Sequence, residues 1–210
     1  NKTINLLRKR FGGYFHSDEG KNRYFHIEGK IPSPQQSGCH MAFQRFGVSL
    51  IKADIYLMNR QLTKKEWEQT GVFEFIDELN PRLLSNNLLL PYLVSVMEDF
   101  FKSTFIALLR YSQKKESFFK SSRLTGDHLE KISNGELSVE EAVAETLSFQ
   151  RISTICKYFN SLDPKIDFAK ELRKSYRRRK MKLYDELDSL VDKRHAFIHR
   201  GEINIKFSDE

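Results

Sequence analysis

The stretch LVDKRHAFIHRGE, residues 190–202, sets an arginine and two histidines close together as Arg194, His195 and His199. Imidazole exchanges protons near neutral pH, and one guanidinium can donate to two oxygens of a phosphoryl group as charge builds there. Side chains of these two types can run phosphoryl chemistry without a metal, by proton transfer and oxyanion stabilisation. The flanking residues read as a helix. Leu183, Leu187, Leu190, Val191, Phe197 and Ile198 mark its apolar side, and Gly201 just past His199 and Arg200 is a C-terminal stop. Helical steps from Leu187 through Leu190 and Val191 to Ile198 put Arg194 on the apolar stripe itself, with His195 and His199 at its borders. A guanidinium in that position must be paired or face an interface, because a desolvated, unpaired charge is strongly unfavourable. The plain structural account is a salt bridge to Glu98 or Asp99, two acids in the middle of another apolar helix.

That second helix is LLLPYLVSVMEDFFKSTFIALLRY, residues 88–111, apolar on nearly every face and therefore expected at the centre of a helical bundle. Glu98, Asp99 and Lys102 near its middle would each cost about 3 kcal/mol in a bilayer, which excludes a membrane span. A first helix is expected over roughly 41–60, where Phe43, Phe46, Leu50 and Leu57, with Ile51, Ile55 and Met58 beside them, recur at helical steps. Thr63 and Glu66 have the spacing of a capping box that opens a further element. Residues 114–138 read as a polar linker with a short helix and a turn at Asn134-Gly135. Ser138 and Glu141 open one helix running to about Leu162, and Asp163-Pro164 starts the next. No strand pattern, internal repeat or glycine-rich phosphate loop follows residue 40. The fold class expected is all-α, with residues 1–40 an irregular N-terminal arm or short hairpin and 41–210 one helical domain. His16, His26 and His40 match no metal-ligand spacing, so no metal is assigned to them.

The 210 residues carry a formal net charge of +7, which favours an anionic partner. Cys39 and Cys156 lie far apart with no ligand spacing, and the opening NKTINLLRKRFGG has no apolar run suited to a secretory signal. A reduced, cytoplasmic location is expected, with no membrane partner. Positive charge is densest in RKSYRRRKMK, where seven of ten residues are basic: Arg173, Lys174, Arg177, Arg178, Arg179, Lys180 and Lys182. Such a run is either a solvated helix face or an anion track. A metal reading also exists, since Asp188, Asp192, His195 and His199 step by four, three and four along one face. A single helix seldom supplies a whole ligand set, so this ranks last.

The motif RHAFIH, the central LVSVMEDFFKSTFIALL, a first helix such as FQRFGVSLIKADIYLMNRQL and the closing LDSLVDKRHAFIHRGE occur in an order that resembles the HEPN superfamily over about residues 45–203. That family's motif is an arginine, four to six residues, then a histidine, placed at the end of the last helix of an all-α domain.

The resemblance implies a HEPN-like helical bundle that forms a homodimer, with two copies of the motif lining one cleft. It places Arg194 and His199 at the catalytic positions and His195 at the polar position after the arginine; helix position, separately, offers Glu98 or Asp99 as the acid supporting Arg194. The implied activity is metal-independent endoribonuclease cleavage of RNA by its own 2′-hydroxyl, with no cofactor. The settings are toxin, phage-defence or RNA-processing systems, with an antidote or defence-system protein as a further partner. The alternative is a non-catalytic adaptor of the same type that binds RNA or nucleotide. On either reading the basic run is expected to track RNA along a helix continuous with the motif. Members modified by a partner nucleotidyltransferase carry a tyrosine two residues after the histidine. Here Gly201 stands in that place, which sets that form of regulation aside.

Overall fold

The structure is a computed structural model that describes residues 33–59, 81–175 and 182–204. It is all-helical among the described residues: α1 (Pro34–Asn59), α2 (Pro81–Leu109), α3 (Lys115–Ser121), α4 (Gly126–Ser133), α5 (Val139–Glu145), α6 (Ile152–Leu162), α7 (Phe168–Leu172) and α8 (Leu183–Arg200). No helix among them is long and apolar enough to cross a membrane. The capping-box candidate at Thr63 and Glu66, together with His16 and His26, lies outside the described residues.

These residues form two compact units. The first holds the described residues up to Arg45, with Phe100–Leu147 and Ser161–Asp163; the second holds Phe46–Asp99, Ser148–Asn160 and the described residues from Pro164 on. In each unit α1 and α2 pair antiparallel. In the first, Arg45 donates to the Ser103 hydroxyl at 2.7 Å; in the second, Tyr92 donates to the Ser49 carbonyl and Tyr56 shares a hydrogen bond with Ser85, each at 2.9 Å. The first core is Ala42, Phe101, Phe105, Leu109, Ala142, Val143, Ala144 and Leu162. The second gathers Leu83, Leu90, Val94, Met97, Phe149, Ile152, Ile155, Phe159 and Val191.

Several boundaries differ from the sequence expectation, each for a local reason. Helix α1 begins at Pro34 rather than near residue 41 because Ser33 and Gln36 form a reciprocal capping box, with Pro34 in the first turn where its missing N–H costs nothing. The large residues that suggested the helix are not its buried face. Phe43, Ile51, Ile55 and Met58 are exposed, while the small Ala42 and Ala53 are buried, as close helix packing requires. Nor is α2 enclosed on every face, since Leu84, Leu88 and Tyr92 form an exposed row at helical spacing.

The expected helix from Ser138 to Leu162 is two helices. Ser138 and Glu141 do form a capping box, but α5 ends at Glu145 and α6 starts at Ile152, whose N–H is accepted by the Asp188 carboxylate at 3.3 Å. Between them Phe149 is buried as a core residue. After Leu162 the chain restarts at Asp167, which caps α7 by accepting from the Lys170 N–H, and not at Asp163-Pro164.

Candidate functional site

Helix α8 carries the motif. Its first turn holds Asp185 and Glu186 and its last His199 and Arg200, an arrangement that suits the helix dipole at both ends. It stops at Gly201, whose left-handed conformation (φ 68°, ψ 15°) a side chain would strain; its N–H reaches back to the carbonyls of Ala196 and Phe197. The chain beyond is tied down by Asn87 of α2, a fully buried side chain. Its amide donates to the carbonyls of Leu83 (2.8 Å) and Asn204 (3.3 Å), and its carbonyl oxygen accepts from the Asn204 N–H at 3.0 Å. The end of the motif helix is thus clamped from both sides.

The apolar stripe buries less than its pattern suggests. Val191 is the buried residue of α8, while Leu183 and Ile198 are exposed. Polar anchors do part of the docking: Asp188 caps α6, and Asp192 meets Arg151 at 2.6 Å. With both carboxylates so engaged, the series Asp188, Asp192, His195 and His199 is not brought together. Among the described residues no group of three such side chains stands ready for a metal ion.

Arg194 is half-buried, and its Nε is enclosed without a hydrogen-bond partner. The same is true of Oε1 of half-buried Glu98. Burial pushes the Glu98 carboxyl above its ordinary range, and the Arg194 guanidinium pulls it part of the way back. The Arg194 charge thus acts on Glu98, one of the two acids proposed as partners; Asp99, the other, is exposed. The expected salt bridge is replaced by a looser electrostatic coupling that leaves both buried atoms unsatisfied. Each such atom is unfavourable by about 1–3 kcal/mol, so α8 is held in place by its other anchors.

His195 and His199 are exposed, and their rings lie 4.3 Å apart between centroids. The step from Arg194 to His199 turns about 140° net around the helix, so one copy of α8 does not aim both at a single point.

The basic run is not a helix continuous with the motif. Arg173 is the C-cap of α7, and Lys182 is the extended N-cap of α8 (φ −82°, ψ 144°). The Arg173 guanidinium lies 4.3 Å over the Tyr184 ring and Lys174 pairs with Glu171, while Lys182 is exposed. Arg177, Arg178, Arg179 and Lys180 lie outside the described residues.

Sequence reasoning missed Asn87, although an Asn86-Asn87 pair just ahead of a run of leucines is a visible anomaly. A buried amide needs several partners, and here it finds a strand-like pair of bonds on a passing chain. No protein-family model matches the chain, and no curated protein or solved structure proves similar to it.

Proposed function

We propose that the protein is a metal-independent endoribonuclease of the HEPN type, acting as a homodimer. The observation that carries this reading is Arg194: a half-buried guanidinium without a hydrogen-bonded acid, coupled to Glu98, on the same last turns as two exposed histidines. A salt bridge kept only for stability would be closed by hydrogen bonds; this one is left open at the arginine.

In the proposed reaction, His199 exchanges protons with the attacking 2′-oxygen or the leaving 5′-oxygen, and Arg194 donates to the phosphorane oxygens. Glu98 positions the guanidinium. Because Arg194 and His199 diverge around one helix, two copies of α8 meeting across a two-fold axis supply the convergent set, each copy contributing the same groups. The proposed setting is cytoplasmic, in a toxin, phage-defence or RNA-processing system with an antidote or defence-system protein as partner. RNA is further held by the basic run around Arg173–Lys182.

The test is incubation of purified protein with mixed RNAs in EDTA, beside an Arg194→Ala/His199→Ala variant. Cleavage by the first and not the second, with 2′,3′-cyclic phosphate ends, is the expected result. His199→Ala alone should slow cleavage by about two to four orders of magnitude while RNA affinity holds. A substrate with 2′-deoxy at the cut position should resist, and its cleavage at the normal rate would exclude the mechanism. RNA bound but left intact by the wild-type protein would instead establish the non-catalytic adaptor.

A further inference from the structure

Within the unit that contains Arg194, α1 carries Val48, Ile51, Ile55 and Met58 in steps of three, four and three. These side chains are 54%, 55%, 54% and 81% exposed. The side of α1 turned to α2 holds small and polar groups: Ala53 is buried, Tyr56 bonds to Ser85, and the Ser49 carbonyl accepts from Tyr92. Ile51 and Ile55 each lie two residues from Ala53, about 160° away around the helix, so the row faces away from α2. Single exposed apolar residues are ordinary, but four in one row at heptad spacing have the pattern of a coiled-coil seam, with β-branched Val48 and Ile55 at the first apolar position of each heptad. Lys52 and Asp54 border the row on its two edges.

We infer that a second copy of this chain docks on the row, the two α1 helices pairing in parallel about a two-fold axis. A second copy brings the same repeat, so both rows are covered at once and each side chain meets its own counterpart. Charge sets the direction. An antiparallel pair centred on the row would put Lys52 against Lys52 and Asp54 against Asp54, whereas the parallel pair sets Lys52 beside Gly47 of the second copy and Asp54 beside its Asn59. Because α2 already holds α1 helical, association has no helix to order. The row spans about 15 Å and would bury on the order of 400 Å² per copy, at the small end for specific interfaces, which sets a weak, concentration-dependent pairing. The contact is separate from the meeting of two α8 helices: α1 docks at Ser85 of α2 and the chain after α8 at Asn87, about 160° apart around α2. It does not rest on the RNA chemistry.

The experiment is sedimentation equilibrium of the full chain across the micromolar range, beside Ile51→Glu/Ile55→Glu. The wild-type mass should rise with concentration. The variant should associate through this contact about a hundredfold more weakly or worse, because pairing would desolvate its carboxylates in the seam. Whether or not α8 also pairs, loss of the α1 contact should halve the mass reached at the highest concentration. Both isoleucines are exposed, so the variant should melt as the wild type does. Ile55→Cys supplies a gain of signal: in a parallel pair this position faces itself, so mild oxidation should join two chains covalently, above the background that Cys39 and Cys156 give in the wild type. A wild-type mass of one chain at every concentration, as expected if another protein or residues 60–80 of the same chain cover the row, would overturn the pairing. So would an unchanged mass in the glutamate variant, or no covalent dimer from Ile55→Cys. Failure of RNA cleavage would leave these results untouched.

Discussion

Two half-buried glutamates, each near an arginine, are displaced from the ordinary carboxyl pKa in opposite directions. Burial pushes the Glu141 carboxyl up, but bonds from the Ser138 hydroxyl and N–H, with the charges of Arg110 and Lys102, outweigh it and hold the pKa below its ordinary range. Burial likewise pushes Glu98 up, and there the Arg194 charge alone does not reverse it. An arginine at hand is common to both; donated hydrogen bonds are not. Charge proximity without directed donors does not secure a half-buried carboxylate, because its enclosed oxygen loses water while Coulomb attraction is diluted over distance. The first arrangement is a finished structural joint. The second is left incomplete, as a site that must still receive a ligand would be.

The sharpest way to break this contrast is Arg194→Lys. An ammonium preserves the charge beside Glu98 but loses the planar fork. If Arg194 is only a counter-charge, the variant should behave like the wild type in every assay. Under the proposed role, RNA cleavage should fall about a hundredfold or more while the melting temperature stays near wild type. Cleavage at the wild-type rate would reduce Arg194 to a structural cation.

A smaller effect tests the other side. Ser138→Ala removes both the cap of α5 and the hydroxyl donated to Glu141, and should destabilise the protein by about 1 kcal/mol in denaturant unfolding. It should also raise the Glu141 pKa in an NMR titration, making that carboxyl resemble Glu98. An unmoved Glu141 would show that Arg110 and Lys102 suffice, and the contrast with Arg194 would then need another cause.

The same contrast separates what a reader of the sequence could find from what was hidden. Ser138 with Glu141, and Gly201 as a stop, are relations within a few residues, set by backbone geometry that local sequence specifies. That Arg194 falls on the apolar stripe, and so must be paired or face an interface, with Glu98 and Asp99 as candidate acids, also followed from helical counting. How each of the two acids lies relative to it did not, since neighbouring residues on a helix point about 100° apart and the docking of α8 sets their distances. The break between α5 and α6 was hidden for a similar reason: the group that caps Ile152 is Asp188, far along the chain. Exposed Ile51 and Met58 show the converse failure. Apolar periodicity reveals a helix but not which face is covered, and around α1 the small residues lie inside. The proposed function rests on a short motif in an all-helical chain, so the site and not the fold class has to decide it.

The smallest effect is a difference in sign. For Glu141, whose pKa is lowered on folding, the ionised form is favoured in the native state. Its stabilisation is present above the ordinary value of 4.5 and is lost as pH falls through the lower native value. For Glu98, raised on folding, the native state holds the proton more tightly. Its stabilisation is complete below 4.5 and is lost as pH rises through the higher native value. Denaturant unfolding of Glu141→Gln and Glu98→Gln beside the wild type, between about pH 3 and 7, should therefore give difference curves of opposite slope. The wild type should lose its advantage over Glu141→Gln as pH drops below 4.5, and should fall behind Glu98→Gln as pH climbs above it. Both carboxyls are partly open to solvent, so each change is small, and the direction is the quantity to read. Parallel slopes would mean that Glu98 is as well paired as Glu141, and would remove the open joint on which the proposed role of Arg194 stands.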